Sequence, residues 1–189
     1  MAKDEINSDV FIRNPKTIQR ISSMLYKMGL DKIYSNCSLP KETNRQIGPM
    51  FKNWLMKGNL KYKVVSETEF LSNNNDGILD ASEDRLKQLA KEKFDYNRNK
   101  GIDFFARVKG KYIIGEAKFL TDFGGHQNAQ FEDALALLET NTKNVIKINI
   151  LDGVLFLYST GKQYKKITES NSNIFSALCL KEFMDDIVE

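Results

Sequence analysis

Asp103, Glu116 and Lys118 are the residues of this 189-residue chain whose types and spacing could do chemistry. Lys109-Gly110 separates two largely apolar runs, and glycine in the second position suits a two-residue hairpin loop. With that loop, Val108 pairs with Lys111, and Asp103 falls opposite Glu116 on the same side of the sheet. Lys118 points to that side too, about 6–7 Å further along the strand. Ile102, Phe104, Ala106 and Val108 alternate along the first strand, and Ile113, Ile114 and Ala117 make the second largely apolar. The hairpin is therefore expected at the centre of the sheet, covered on both faces. Carboxylates on a covered strand need partners or a metal. Two oxygen donors with open positions suit Mg²⁺, a hard cation that keeps several of its waters. An ion there would acidify water and offset charge on a phosphate. Lys118 would then position or help deprotonate the attacking water, or neutralise the phosphate. The same spacing also fits a buried salt bridge between Lys118 and the acids.

The flanking segments must position this hairpin. Helical periodicity begins at Pro15, runs through Ile18, Ile21, Met24, Leu25 and Met28, and stops before Gly29. A second helix is expected from about Pro40 to Met56, disturbed near Gly48-Pro49. A strand is expected at Lys61–Val65, and a loop at Ser72–Gly77. Asp80 or Ser82 should cap a helix that carries Leu86, Leu89, Ala90 and Phe94 on one face. After the hairpin, Gln127–Asn141 reads as a helix, with Phe131, Ala134, Leu135 and Leu138 at helical spacing. Val145–Leu151 and Val154–Tyr158 read as two strands around Asp152-Gly153, followed by a strand near Ile174–Leu178 and a helix from Lys181. Helices, strands, helix and strands in that order imply an α/β fold with one central mixed β-sheet flanked by helices. A single domain over 1–189 is expected: a mostly helical region at 1–95, a sheet core at 96–160, and a strand and helix at 161–189.

Bulk composition removes several classes. With 41% hydrophobic and 28% charged residues, the chain has ordinary globular composition. No apolar run nears the roughly 20 residues that span a bilayer. The opening MAKDEINSD places acids where a secretion signal would be apolar, and the two cysteines, Cys37 and Cys179, have no zinc or disulfide-framework spacing. A cytoplasmic location is expected. His126 is the single histidine, which argues against histidine-metal nucleases and against a Ser-His-Asp triad. A nucleophile elbow, a dinucleotide loop and a Cys-x-x-Cys are all missing from the sequence. Charge is uneven: residues 1–65 carry 12 Lys+Arg against 5 Asp+Glu, so this third could face a polyanion or form a solvated helical surface.

Asp103, then Glu116-Ala117-Lys118 across a hairpin and ahead of a Gln-bearing helix, resembles the PD-(D/E)XK nuclease superfamily. The stretch Gly115–Phe131 is similar to the catalytic segment of type II restriction endonucleases, in particular those that cut GTSAC-like sites. The resemblance is strongest over residues 100–140. It implies a restriction-endonuclease-like core and a metal-dependent phosphodiesterase. Asp103 and Glu116 would be metal ligands, Ala117 would supply a carbonyl ligand, and Lys118 would be the catalytic lysine. One departure is Ile102, which stands where many members carry proline. The implied substrate is double-stranded DNA, cut at a specific short sequence. Two antiparallel strands and the resemblance together imply a homodimer. A cognate DNA methyltransferase in the same system is a further implication.

Gly124-Gly125 can let the backbone approach a phosphate, and His126, Gln127, Asn128 and Gln130 are candidates for DNA contact. Arg45, Lys52, Lys57, Arg98 and Lys100 are weaker candidates, and Glu42 or Glu92 could complete the metal site from a helix. Trp54, with Phe51 and Leu55, reads as core or dimer interface. Two other readings stay open: a structure-specific repair or recombination nuclease of the same fold, and a DNA-binding module in which the acids and Lys118 form a static ion pair.

Overall fold

A computed structural model of the chain describes residues 15–38, 47–157 and 161–187. Helices α1 (Pro15–Met28), α2 (Leu30–Ser38) and α3 (Ile47–Met56) come first. Then follow β1 (Val64–Ser66), α4 (Glu67–Ser72), β2 (Gly77–Asp80) and α5 (Glu83–Phe94). The hairpin is β3 (Phe104–Val108) and β4 (Lys111–Leu120), and after it come α6 (Gly125–Leu138) and β5 (Val145–Gly153). Helix α7 (Lys162–Thr168), β6 (Ile174–Phe175) and α8 (Leu180–Asp185) complete the described chain.

Among the described residues, one six-stranded sheet has the order β1-β2-β3-β4-β5-β6. Strands β2, β3 and β4 pair antiparallel, whereas the pairs β1/β2, β4/β5 and β5/β6 are parallel. The sheet is mixed and flanked by helices, as the order of elements implied. The expected hairpin register is present: Val108 opposes Lys111 and Phe104 opposes Gly115. Lys109 (φ 47°) and Gly110 (φ 73°) both adopt the left-handed conformation that a two-residue turn of this type requires. Asp76 Oδ1 accepts from the Lys109 N–H at 2.7 Å, and this contact holds the non-glycine residue there.

Each face of the sheet has its own core. Phe104, Ala106, Val108, Ile113, Ile148 and Ile150 pack on one side with Leu55 of α3 and with Leu180 and Met184 of α8. Phe105 and Ile114 pack on the other with Leu86, Leu89, Ala90 and Phe94 of α5. Further along that second face, Leu120 and Leu151 meet Phe131, Ala134 and Leu135 of α6. A fully buried side chain such as Ile113 or Ile148 contributes about 2 kcal/mol by leaving water. Ile102 departs from the expected alternation: it packs with Phe105 and not with Phe104, because β3 begins only at Phe104.

Several expected elements shift. The strand expected at Lys61–Val65 lies at Val64–Ser66, and Ile174–Leu178 shortens to Ile174–Phe175. The helix expected from Pro40 begins at Ile47 within the described residues, which exclude Pro40, Glu42 and Arg45. Pro49 sits in its first turn, where the missing N–H costs nothing. Strand β2 occupies the end of the expected loop, which leaves Ser82 as the cap: its side chain accepts from the Arg85 N–H. The strand expected at Val154–Tyr158 is absent over Val154–Leu157, and Tyr158 lies outside the described residues. Val154–Phe156 is a 3₁₀ turn, because β5 runs parallel to β4 as far as the pair Leu120–Gly153, and no hairpin closes around Asp152-Gly153. Gly153 has φ +97°, and a Cβ there would stand 2.8 Å from the Leu120 carbonyl carbon.

Asp185 ties α8 to the approach to β1. It accepts from Tyr62 Oη (3.0 Å), Lys61 Nζ (2.6 Å) and Lys181 Nζ (2.6 Å). These contacts hold its carboxyl below the ordinary value of 3.8, the Lys181 and Lys61 hydrogen bonds first. A depressed carboxyl contributes stability that is fully present above its ordinary value and is lost as pH falls below it. Urea titrations from pH 6 down to pH 2 should therefore show a smaller acid-side loss of stability in Asp185→Asn than in the wild type. Gly153→Ala should destabilise the fold by about 3 kcal/mol through strain and overpacking. Calorimetry would read this as a Tm lower by roughly 6–12 °C.

Candidate active site

Strand β4 outlasts its neighbour β3. Past Gly115 its edge on the β3 side has no strand partner, because β3 begins at Phe104. Asp103 fills this gap twice. Its N–H donates to Gly115 O at 3.0 Å, and its Oδ2 accepts from the Ala117 N–H at 2.9 Å. The carboxylate thus takes the place of a strand residue. On a strand, the N–H and C=O of one residue point to the same side, so the Ala117 carbonyl shares this edge with Asp103.

On the face of β4 that meets α5 and α6, Ile114 and Leu120 belong to separate apolar clusters, with Glu116 and Lys118 between them. The charged pair lies in the seam between the clusters. Lys118 Nζ is 3.2 Å from Asp103 Oδ2 and 3.4 Å from Glu116 Oε2, so one ammonium bridges carboxylates from both sides of the hairpin. The Glu116 side chain is 3% exposed, against 17% for Asp103 and 25% for Lys118. Burial raises the Glu116 carboxyl above its ordinary value, and Asp103 adds to the rise, while Lys118 and Arg98 oppose it. Burial pulls Lys118 the other way, toward the neutral amine. Asp103 and Glu116 outweigh that pull and hold its ammonium above the ordinary lysine value.

Three further groups, Arg98, Lys100 and Asp133, were not assigned to this site by the sequence. Arg98 Nη1 donates to Glu116 Oε1 at 3.1 Å, whereas its Nη2 donates to Asp133 Oδ1 and Asp133 O, both at 2.9 Å. Lys100 Nζ stands 2.8 Å from the other Asp133 oxygen. Against partial burial, Lys100 and Arg98 hold the Asp133 carboxyl below its ordinary value. Among the described residues, the helix acid beside this site comes from α6, after the hairpin. Glu92 is half exposed and faces Arg85, and Glu42 lies outside the described residues. Arg98 and Lys100, expected at DNA, are engaged here with acids. No local sequence pattern marked Asp133; its place follows from packing, since it lies on α6 beside Ala134, whose carbonyl accepts from the fully buried Asn149, the strand partner of Glu116.

The α6 candidates divide. His126, Asn128 and Gln130 lie at the surface, with Gln130 Nε2 3.0 Å from His126 Nε2 and Asn128 Nδ2 donating to Phe123 O at 3.1 Å. Gln127 is 3% exposed and donates to Thr121 Oγ1 at 3.2 Å, so its amide is turned into the protein and not toward a base edge. Lys52 pairs with Asp80 at 2.8 Å. Phe51 and Trp54 stack and pack against the core that holds Leu55. A cavity of about 910 Å³ lies on the opposite face of the sheet, between α1, α3, β4 and β5. Its lining includes Ala117 and Lys118 but neither Asp103 nor Glu116, and it is mainly apolar, so the carboxylate chemistry is not there.

A mixed sheet whose hairpin joins an aspartate to a Glu-x-Lys strand defines a restriction-endonuclease-like nuclease. The chain belongs to the Tsp45I type II restriction enzyme family, whose family model matches residues 1–187. It is accordingly a site-specific deoxyribonuclease with DNA as its substrate. No curated relative and no solved structure matches the chain. Among the described residues, no helix is long and apolar enough to cross a membrane.

The Asp103 brace has a measurable consequence. Asp103→Ala leaves the Ala117 N–H without its acceptor and should cost about 1–3 kcal/mol in urea denaturation. Asp103→Asn retains an acceptor oxygen for that N–H and gives up only the ion pair with Lys118, so it should lose less than Asp103→Ala. Equal losses in the two variants would mean that Asp103 does not hold this strand edge.

Proposed function

We propose that this enzyme is a Mg²⁺-dependent endonuclease that hydrolyses phosphodiester bonds in double-stranded DNA, with Asp103, Glu116 and Lys118 as its catalytic residues. One observation carries the reading: a single ammonium is shared by two carboxylates that arrive from different sides of the hairpin. Their oxygens already converge on one positive centre, and hard oxygen donors are what Mg²⁺ takes. Among the described residues, no three His, Cys, Asp or Glu side chains form a closed cage. Mg²⁺ needs none, since it keeps waters and accepts substrate oxygens. Asp103, Glu116 and the Ala117 carbonyl would hold the ion, which when bound supplies Lewis acidity to water and phosphate.

The protein's own groups do the rest. Asp103 fixes the backbone of the catalytic strand through the Ala117 N–H, so the strand does not drift as DNA enters. Lys118 holds its proton at Nζ, and its ammonium neutralises charge that develops on the phosphate. His126 and Asn128, both exposed, and the half-buried Gln130 lie on α6 beyond the end of β4, able to meet backbone or base edges. Gln127 supports that surface from within the protein, through its hydrogen bond to Thr121 Oγ1. The chain acts as one nuclease domain in the cytoplasm. It works as a homodimer, since one site per chain meets one strand of a two-stranded substrate. A methyltransferase of the same specificity protects host DNA as a functional partner.

Phage DNA digested with Mg²⁺ should give discrete fragments whose sequenced ends share one short motif, with GTSAC-like sites the first to inspect. EDTA should abolish the cutting. Glu116→Ala should lose cleavage but keep its fold and DNA binding, because Arg98 retains Asp133 and Lys118 retains Asp103. Lys118→Ala should lose about 10²–10³-fold in turnover, with a smaller loss of affinity. Turnover retained without Glu116 would sink the reading, and DNA left intact at every Mg²⁺ concentration would leave a static ion pair instead.

A further inference from the structure

The guanidinium of Arg98 has a built position. It springs from the loop between α5 and β3, which is anchored at Tyr96 (1% exposed) and Ile102 (0%). Its side chain is only 16% exposed. One terminal nitrogen, Nη2, is clamped by both the carboxylate and the backbone carbonyl of Asp133. The guanidinium is planar and its donors form a rigid fork. Once Nη2 is fixed by α6, the direction of Nη1 is fixed as well, and Nη1 meets Glu116 Oε1 at 3.1 Å. Lys100 satisfies the second Asp133 oxygen, which keeps that carboxylate turned toward Arg98. The Glu116 oxygens are thereby divided, Oε1 to Arg98 and Oε2 to Lys118. On β4 itself Lys118 meets this carboxylate through a flexible stem, and the last torsion of a glutamate has no sharp preference of its own, so the rotation is set from outside the strand.

We propose that Arg98, clamped by Asp133, is a positioning residue that sets the rotation of the Glu116 carboxylate and leaves Oε2 facing Lys118 and the scissile phosphate. The proposal rests on the reading of Asp103, Glu116 and Lys118 as the catalytic group. Arg98 therefore acts through Glu116 and is not a phosphate contact. A lysine in its place keeps the charge but lacks the fork, so it cannot serve α6 and Glu116 together in one plane.

The test uses the full chain and three variants: Arg98→Lys, Asp133→Asn and the double variant. Single-turnover cleavage is measured with enzyme saturating over DNA, alongside metal-free DNA affinity by fluorescence anisotropy and thermal melting. Misplacing a catalytic group by about 1 Å costs on the order of 10²-fold. Arg98→Lys should slow cleavage by about that factor, with DNA affinity within threefold of the wild type. Asp133→Asn should slow it about 10-fold, and the double variant should be no slower than Arg98→Lys alone, since both act along one chain of contacts. Wild-type rates in Arg98→Lys would overturn the proposal, because charge alone would then suffice. So would a loss of affinity with an unchanged rate at saturation, or additive losses in the double variant. A cleaving wild type with unaffected variants removes the positioning role alone. A wild type that cuts nothing with Mg²⁺ removes the catalytic reading and the proposal together. Asp133→Asn is isosteric and Arg98→Lys keeps the charge of a partly exposed group, and melting identifies any variant that has not folded.

Discussion

The mismatch in length between β3 and β4 governs this site. A covered strand must satisfy every backbone donor, and β4 continues beyond the point where β3 could do so. Asp103 meets that need with its side chain, and it can do so only from the position directly before β3. The residue that closes the sheet is therefore also the residue that brings a carboxylate to Glu116 and Lys118. Structural and chemical demands fall on the same atoms. Separating them would require a longer β3, which would cover the edge that the proposed function leaves open to a phosphate.

Charge in the seam is balanced before any substrate arrives. Arg98, Lys100 and Lys118 face Asp103, Glu116 and Asp133. Such a network tolerates burial because each ion has a partner, and removing one member leaves another uncompensated. The apolar clusters on either side deepen the effect by keeping Glu116 away from water. A dication alone would leave the cluster with excess positive charge, whereas a dication with an anionic phosphate would come closer to restoring the balance. Metal and DNA are thus expected to favour each other at this site.

The hairpin was legible because its turn chemistry and alternation are local. Lys109-Gly110 fixes the loop, and the loop fixes which residues oppose one another. Helices α1, α5 and α6 were legible from periodicity alone. Strand β2 was not, because Ile78-Leu79 is too short an apolar run to stand out, and its identity as a strand comes from its neighbours β1 and β3. Val154–Phe156 was misread since a pattern of apolar residues after Asp-Gly looks the same before a hairpin and after a parallel strand. Asp133 was missed for a different reason. It meets Glu116 only through Arg98, 35 residues away in sequence, and periodicity on one helix does not reveal a partner on a distant loop.

The tight turn at Lys109-Gly110 has a bearing on how this family can vary. A chain that shifts by one residue along a strand moves about 3.3 Å and turns every side chain to the opposite face. Strand β4 is also held in register by β5, so a single residue gained or lost at the turn would fall on β3 and carry Asp103 away from Lys118. Lengthening at that remote tip, at the opposite end of the hairpin from Asp103, is then as constrained as the acids themselves. Working relatives should tolerate change of residue there far more readily than change of length.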